Sequence, residues 1–95
     1  MVRAIENWTE LAGTVREVKP RPGVPQMSDV VLAVERADDV EGYPNRLADA
    51  PGGEVTVGIE TEKLGAAVPG AKVRCRAQRT GPRSVIAHPR GFSPD

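Results

Sequence analysis

The amino-acid sequence predicts an all-β fold of five strands in one domain. Its 95 residues leave room for a single compact core. Valine is frequent and clustered, and valine-rich segments with apolar residues at alternate positions are typical of strands. The 10 glycines and 9 prolines are scattered along the chain, where they separate short segments instead of forming a low-complexity tract.

The first predicted strand covers residues 10–19. Its alternation breaks at Val18, which predicts a bulge near Arg16 that restores the inward phase. Gly13 indicates a sharp bend or a close approach of another backbone. Three prolines in residues 19–25 are expected to break the strand, because proline donates no backbone hydrogen bond.

The second and third predicted strands are separated by a long connection. Residues 29–37 alternate valine and leucine with other side chains, and an acidic connection follows over residues 38–53. A connection of this length in a compact domain is either functional or mobile. The third strand, residues 54–60, has the cleanest alternation, with valine and isoleucine facing inward. Thr61 is predicted to cap a short helical turn that ends before Pro69.

The last two predicted strands are rich in basic residues. The fourth, residues 71–79, places Cys75 inward among small apolar residues and basic side chains outward. The fifth, residues 83–88, ends at Pro89, and the tail over residues 90–95 is expected to be frayed. The predicted order is three strands, a short helix and two strands.

Two segments carry a pattern found in a known family. They are Leu-Ala-Gly-Thr-Val-Arg-Glu-Val in the first strand and Val-Pro-Gly-Ala-Lys-Val-Arg-Cys-Arg-Ala-Gln entering the fourth. Both resemble oligonucleotide/oligosaccharide-binding (OB) domains. The resemblance implies a five-stranded Greek-key barrel with a glycine-bent first strand and a short helix between strands three and four. A single domain is expected over residues 1–95, with its core at about residues 10–90 and frayed ends.

Charge is unevenly distributed along the sequence, although the formal net charge is zero. Residues 1–62 hold six basic and twelve acidic side chains, whereas residues 63–95 hold seven basic side chains and one acidic. A basic C-terminal third can attract a polyanion. Arginine outnumbers lysine by ten to three, which suits forked contacts with phosphate but also follows from a GC-rich genome.

Basic residues concentrate on the fourth strand, in the turn after it and around the loop after the first strand. The resemblance implies that the loops after strands one and four flank the ligand groove. The predicted nucleic-acid-binding residues are Arg16, Lys19, Arg21, Lys72, Arg74, Arg76, Arg79 and Arg83. The alternative interpretation is an ordinary solvated strand face and an exposed charged turn.

The leading functional hypothesis is a small non-enzymatic module that binds single-stranded DNA or RNA. The outward positions of the second and third strands carry no aromatic residue for base stacking. Outward Val31 and Ala33 suit a protein partner or self-association. The alternative hypothesis is therefore a protein-interaction or oligomerisation module that uses this face.

The aromatic side chains lie outside the predicted strands. Trp8 is expected to close one end of the barrel, with base stacking as the alternative. Tyr43 is expected either to anchor the long connection or to contact a partner. Asn7 and Glu10 are predicted to form a loose capping pair.

The sequence contains no recognisable catalytic motif, so we expect neither an enzyme nor a cofactor. Cys75 is the single cysteine, so an internal disulfide and a metal-binding cysteine pair are excluded. It is predicted to be buried. His88 is the single histidine. The absence of a long apolar run and of a hydrophobic leader predicts a cytoplasmic protein without a membrane partner.

Overall fold

The computed structural model describes residues 6–95, which form six β-strands in one sheet. The strands are β1 (Thr9–Arg21), β2 (Val24–Asp39), β3 (Glu54–Glu60), β4 (Lys72–Gly81), β5 (Ser84–Ala87) and β6 (Ser93–Pro94). Within the described residues, helical structure is limited to a 3-10 turn at Thr61–Lys63. The all-β prediction is confirmed, and residues 1–5 of the predicted domain lie outside the described residues.

The strands pair around a closed ring. β1 is antiparallel to β2 on one side and to β4 on the other, and β2 is antiparallel to β3. β5 lies between β3, with which it is parallel, and β4, with which it is antiparallel. The short β6 pairs with β4. Each of the first five strands therefore has a neighbour on both sides for part of its length, which leaves little free sheet edge.

β1 and β2 form a long hairpin whose turn contains Gly23 at φ 76°. The break predicted over residues 19–25 is present but shorter: only residues 22–23 lie between the strands, and Pro20 and Pro25 lie within them. Proline is tolerated where a strand has an open edge. β1 pairs with β4 only as far as Thr14, so the distal part of the hairpin has such an edge.

Three register shifts interrupt the pairing of β1 with β2, and the third, between Pro20 and Arg21, lies beside the hairpin turn. The first lies at Gly13, where an added Cβ would overlap the backbone carbonyl of Ala33, so the predicted close backbone approach is confirmed. The second leaves Arg16 unmatched between Val15 and Glu17, which confirms the predicted bulge. These shifts allow one strand to pair with both β2 and β4 while its apolar side chains keep facing the core.

Aliphatic side chains from the long strands fill the interior of the ring. On β4, Val73, Cys75 and Ala77 are buried as predicted, and on β3 Val57 and Ile59 are buried. The period of two explains this, because successive side chains of a strand point to opposite faces. Three core residues come from outside the strands: Leu47 is fully buried, and Ala67 and Phe92 are each 4% exposed.

The connection between β2 and β3, residues 40–53, is held against the ring by Leu47 and by Asn45. The Thr9 hydroxyl donates to Asn45 Oδ1 at 2.7 Å, and Asn45 Nδ2 donates to the Ala37 carbonyl at 3.1 Å. Tyr43, in contrast, is 41% exposed. The loop is therefore anchored through Leu47 and Asn45, and Tyr43 has an accessible side chain.

The C-terminal tail belongs to the sheet, so the predicted fraying of residues 90–95 is wrong. Pro94 is the register partner of Val73 in β4, and the Asp95 N–H donates to the Lys72 carbonyl at 3.1 Å. Burial of Phe92 explains the order of the tail, because exposing this large apolar side chain would cost free energy.

The helical turn after β3 is shorter than predicted. It is a 3-10 turn of three residues without a side-chain cap, so the predicted capping role of Thr61 is wrong. The Thr61 hydroxyl instead lies 2.8 Å from that of Ser28 in β2, which ties the turn to the sheet.

Candidate nucleic-acid interface

The outer face of β4 carries three of the predicted cations. Lys72 and Arg74 are exposed and Arg76 is half-buried, and they alternate with the buried residues of the strand. Arg74 has Ala12 of β1 and Ser93 of β6 as register partners. The structure therefore brings these three cations together on one face, as the alternation predicted.

Carboxylates accompany several of the predicted cations. Arg76 Nε lies 3.3 Å from Glu10 Oε2, and Lys72 Nζ lies 4.0 Å from Glu35 Oε1. Arg16 Nε lies 3.6 Å from a carboxylate oxygen of Glu54. Because these pairs are exposed or half-exposed, each contributes about 0–1 kcal/mol. Their main effect is to lower the local positive charge, because their contribution to the stability of the fold is small.

Arg21 lies on the outer face of the sheet instead of at a loop tip. Its Nε and Nη2 both donate to Asp29 Oδ1, at 3.0 and 2.8 Å. The guanidinium occupies the space that a side chain at position 58 would fill, and this explains Gly58 in β3. Lys19, two residues earlier in β1, is exposed.

Of the two predicted cations around the β4–β5 turn, Arg79 holds the backbone through hydrogen bonds. Arg79 donates from Nε to the Arg46 carbonyl at 3.3 Å and from Nη1 to the Pro82 carbonyl at 3.0 Å. The Asn7 side chain accepts from the Arg79 N–H and donates to its carbonyl, so the predicted pairing of Asn7 with Glu10 is wrong. Arg83 is exposed.

The eight predicted residues thus fall into three groups. Lys72, Arg74 and Arg76 lie on β4, whereas Arg16, Lys19 and Arg21 lie on the part of β1 beyond its pairing with β4. Arg79 and Arg83 lie at the other end, where β4 turns into β5. Within residues 6–95, four of the eight form no ion pair: Lys19, Arg74, Arg79 and Arg83.

The outer face of β2 and β3, the predicted protein-binding face, is mixed in character. Val31 and Ala33 are half-buried, and their register partners in β3 are Thr56 and Glu54. Within the described residues, the exposed large apolar side chains are Val24, Tyr43 and Val68, which lie on three different segments.

A groove of about 410 Å³ crosses the outer surface of β3, β5 and β4. Ile86 of β5 lines it between its register partners, Gly58 of β3 and Gln78 of β4. Its other lining residues include Trp8, Met27, Lys63 and His88, and its wall is mainly apolar. We call it the Trp8 groove.

Two rings meet in the wall of the Trp8 groove. The Trp8 and His88 ring centroids are 5.4 Å apart with an interplanar angle of 60°. Trp8 Nε1 donates to Glu6 Oε1 at 2.9 Å, and His88 Nδ1 accepts from the Arg90 N–H at 3.1 Å. This acceptor role places the proton of neutral His88 on Nε2. Trp8 is half-buried: it packs against His88 and keeps a surface that a ligand can reach, while its closing of a barrel end stays a prediction.

A second recess, of about 240 Å³, lies between β4 and the C-terminal segment. We call it the arginine recess; Glu10, Arg74, Cys75, Arg76, Arg90, Gly91 and Ser93 line it. Arg90 Nη2 donates to both oxygens of Glu10, at 2.8 and 3.1 Å. Glu10 is therefore shared by Arg90 and Arg76. Arg90 is not among the predicted binding residues, because the sequence predicts a frayed tail over residues 90–95.

Cys75 is buried in the core, as predicted. Desolvation raises the pKa of its thiol from 9.0 to about 12; the Glu10 carboxylate adds to this shift and the Arg90 guanidinium opposes it. At neutral pH the thiol is therefore protonated and a poor nucleophile. Across residues 6–95, no group of three His, Cys, Asp or Glu side chains is arranged to hold a metal ion.

Two further observations bear on the class of protein. Over residues 6–95, no helix has the length and apolar character that a membrane crossing needs. The chain shows no significant similarity to a known protein family, to a curated protein or to a solved structure.

Proposed function

We propose that this chain is an OB-type barrel domain that binds single-stranded nucleic acid, with bases in the Trp8 groove. The strand pairing supports the barrel: β4 returns to pair with β1, and β5 lies between β3 and β4. Such a ring is compatible with the five-stranded Greek-key barrel of OB domains.

The Trp8 groove is the observation that carries this proposal. Single-stranded nucleic acid exposes flat apolar bases, which stack on aromatic rings with about 1–3 kcal/mol per base. The outward positions of β2 and β3 offer no aromatic ring. Trp8, from the segment before β1, and His88, from the end of β5, supply rings beside the apolar surface of Ile86 instead.

Cations near the groove and on the neighbouring faces supply the attraction for phosphates. Lys63 lines the groove itself, while Lys19, Arg74 and Arg83 lack a carboxylate partner within the described residues. Because Arg16, Arg21, Lys72 and Arg76 are paired with carboxylates and Arg79 donates to backbone carbonyls, we expect only a few phosphates to be neutralised. Three phosphate contacts correspond to a slope of about −2 in a plot of log K against log salt concentration.

The proposal is tested by titrating the protein with a single-stranded oligonucleotide while recording Trp8 fluorescence. Trp8 is the single tryptophan, so its emission reports on the groove directly. We expect the emission to change on binding and the affinity to fall with a shallow salt slope. Trp8→Leu has no tryptophan to observe, so the affinities of the variants are measured by the anisotropy of a labelled oligonucleotide. Trp8→Leu is expected to lose at least about tenfold in affinity, since stacking on the ring disappears.

Tyr43→Leu is the matched control, because Tyr43 is an exposed aromatic residue outside the groove. Its affinity for the oligonucleotide is expected to equal that of the unmodified protein. An absence of binding at low salt, or equal losses in both variants, would contradict the proposal.

A further inference from the structure

The arginine recess has more positive than negative charge. Three guanidinium groups, from Arg74, Arg76 and Arg90, line it together with one carboxylate, from Glu10. These four groups leave a net charge of two positive units. Like charges held together repel one another, so a recess of this composition favours the binding of an anion.

The structure holds two of these guanidinium groups in place. Glu10 is the register partner of Arg76 on the adjacent strand and also binds Arg90. The backbone beside Arg90 turns at Gly91, whose φ is 77°. An added Cβ there would overlap the Lys63 carbonyl, so only glycine fits this passage. The anchors reduce the side-chain entropy that these arginines would lose on binding a ligand.

Arg74 supplies the cation without a partner. Its register partners, Ala12 and Ser93, carry no charge. Asp95 is engaged by Arg36, at 3.0 and 3.2 Å. Within the described residues Arg74 therefore forms no ion pair, and its forked guanidinium is available to a ligand.

We propose that the arginine recess binds a phosphate monoester group. A monoester carries close to two negative charges at neutral pH and three acceptor oxygens, which matches the net charge of the recess and its forked donors. Ser93, a residue with a hydroxyl donor, also lines the recess. A phosphodiester carries one charge and matches the recess less well.

The phosphate has two possible sources: the terminal phosphate of a nucleic-acid strand or a small free phosphate. The position of the recess favours the strand end. His88 lines the Trp8 groove and Arg90 lines the arginine recess, so one short segment separates the two. A strand could place its terminal phosphate in the recess and a neighbouring base in the groove. The assignment to a strand end rests on the proposed function, whereas the proposal that the recess binds a phosphate group does not.

The test compares one single-stranded oligonucleotide in three forms: 5′-phosphorylated, 3′-phosphorylated and unphosphorylated. In a separate arm, inorganic phosphate is titrated while the Gly91 and Ser93 backbone amides are followed by NMR. We expect one phosphorylated form to bind roughly tenfold more tightly than the unphosphorylated form. Arg74→Gln is expected to abolish this preference.

Lys72→Gln is the matched control. Lys72 and Arg74 are exposed cations on the same face of β4, but Lys72 does not line the recess. Its substitution removes the same charge and is expected to lower the affinity of all three oligonucleotides equally.

The outcomes separate the two proposals. A preference for a terminal phosphate supports the strand end, and inorganic phosphate binding without that preference supports a small free phosphate. Phosphate binding without any oligonucleotide binding supports the recess and contradicts the proposed function. Equal binding of all three oligonucleotides, with no change in the amide signals when phosphate is added, contradicts phosphate binding in the recess. The proposed function then remains intact.

Discussion

The imidazole of His88 meets the indole of Trp8 with an interplanar angle of 60°, and this contact joins the end of β5 to the segment before β1. An edge contact of this kind orients the indole, since aromatic pairs prefer such geometries. His88→Ala is therefore expected to weaken oligonucleotide binding by roughly fivefold, less than the loss of Trp8 itself. Fluorescence titration measures this effect. Unchanged affinity and unchanged Trp8 emission would show that the contact does not shape the groove.

Gly13 and Gly58 are both crowded, but by different kinds of neighbour. At Gly13 the neighbour is the Ala33 backbone, whereas at Gly58 it is the guanidinium of Arg21. A backbone in a paired strand cannot move aside, so Gly13→Ala is expected to cost about 3 kcal/mol in the free energy of unfolding. The end of a flexible side chain can move, so Gly58→Ala is expected to cost about 1 kcal/mol or less. Urea denaturation of both variants checks this order, and equal costs would contradict it.

Leu47 and Tyr43 lie in one loop with opposite burial. Leu47 is fully buried and Tyr43 is 41% exposed. Leu47→Ala is expected to lower the free energy of unfolding by about 2–5 kcal/mol, because it removes buried methyl groups and leaves a cavity. Tyr43→Ala is expected to stay within about 0.5 kcal/mol. The midpoint of thermal unfolding reports both effects, and a small loss in the Leu47 variant would indicate that the loop is not part of the cooperative unit.

The Cys75 thiol makes the free energy of unfolding depend on pH in the alkaline range. Because desolvation raises its pKa in the folded protein from 9.0 to about 12, the folded state favours the protonated thiol. Its contribution to stability is complete below about pH 9 and is lost as the pH rises toward 12. Cys75→Ala removes this contribution, so the variant is expected to lose less stability between about pH 8 and 10.5. Urea denaturation at both pH values measures the difference, and parallel losses would contradict the assignment.

Strand boundaries and side-chain burial could be predicted where they depend on the sequence of a single strand. The boundaries of β3 agree with the alternation of residues 54–60, and the burial of Cys75 agrees with its position in β4. The break predicted over residues 19–25 is shorter in the structure, where Pro20 and Pro25 lie within strands, and the sequence of a single strand does not reveal why. Whether a proline interrupts a strand depends on whether its edge is paired, and that depends on which strands are neighbours.

The two recesses depend on contacts between distant segments. The Trp8 groove combines residues from before β1, from β2, β3, β4 and β5, and from the segment that follows β5. Arg90 belongs to the arginine recess because burial of Phe92 draws the tail onto β4. Neither arrangement has a periodic signal along the chain.

Alternation of apolar and polar residues was enough to assign the all-β class, the inward face of β4 and the cations on its outer face. These features follow from the geometry of a single strand, in which neighbouring side chains point in opposite directions. The carboxylates that accompany the cations, and the recess in which Arg74 has no such partner, were decided by the closure of the ring. Electrostatic interactions weaken with distance through space, so charges far apart in the sequence act on one another only after folding brings them together.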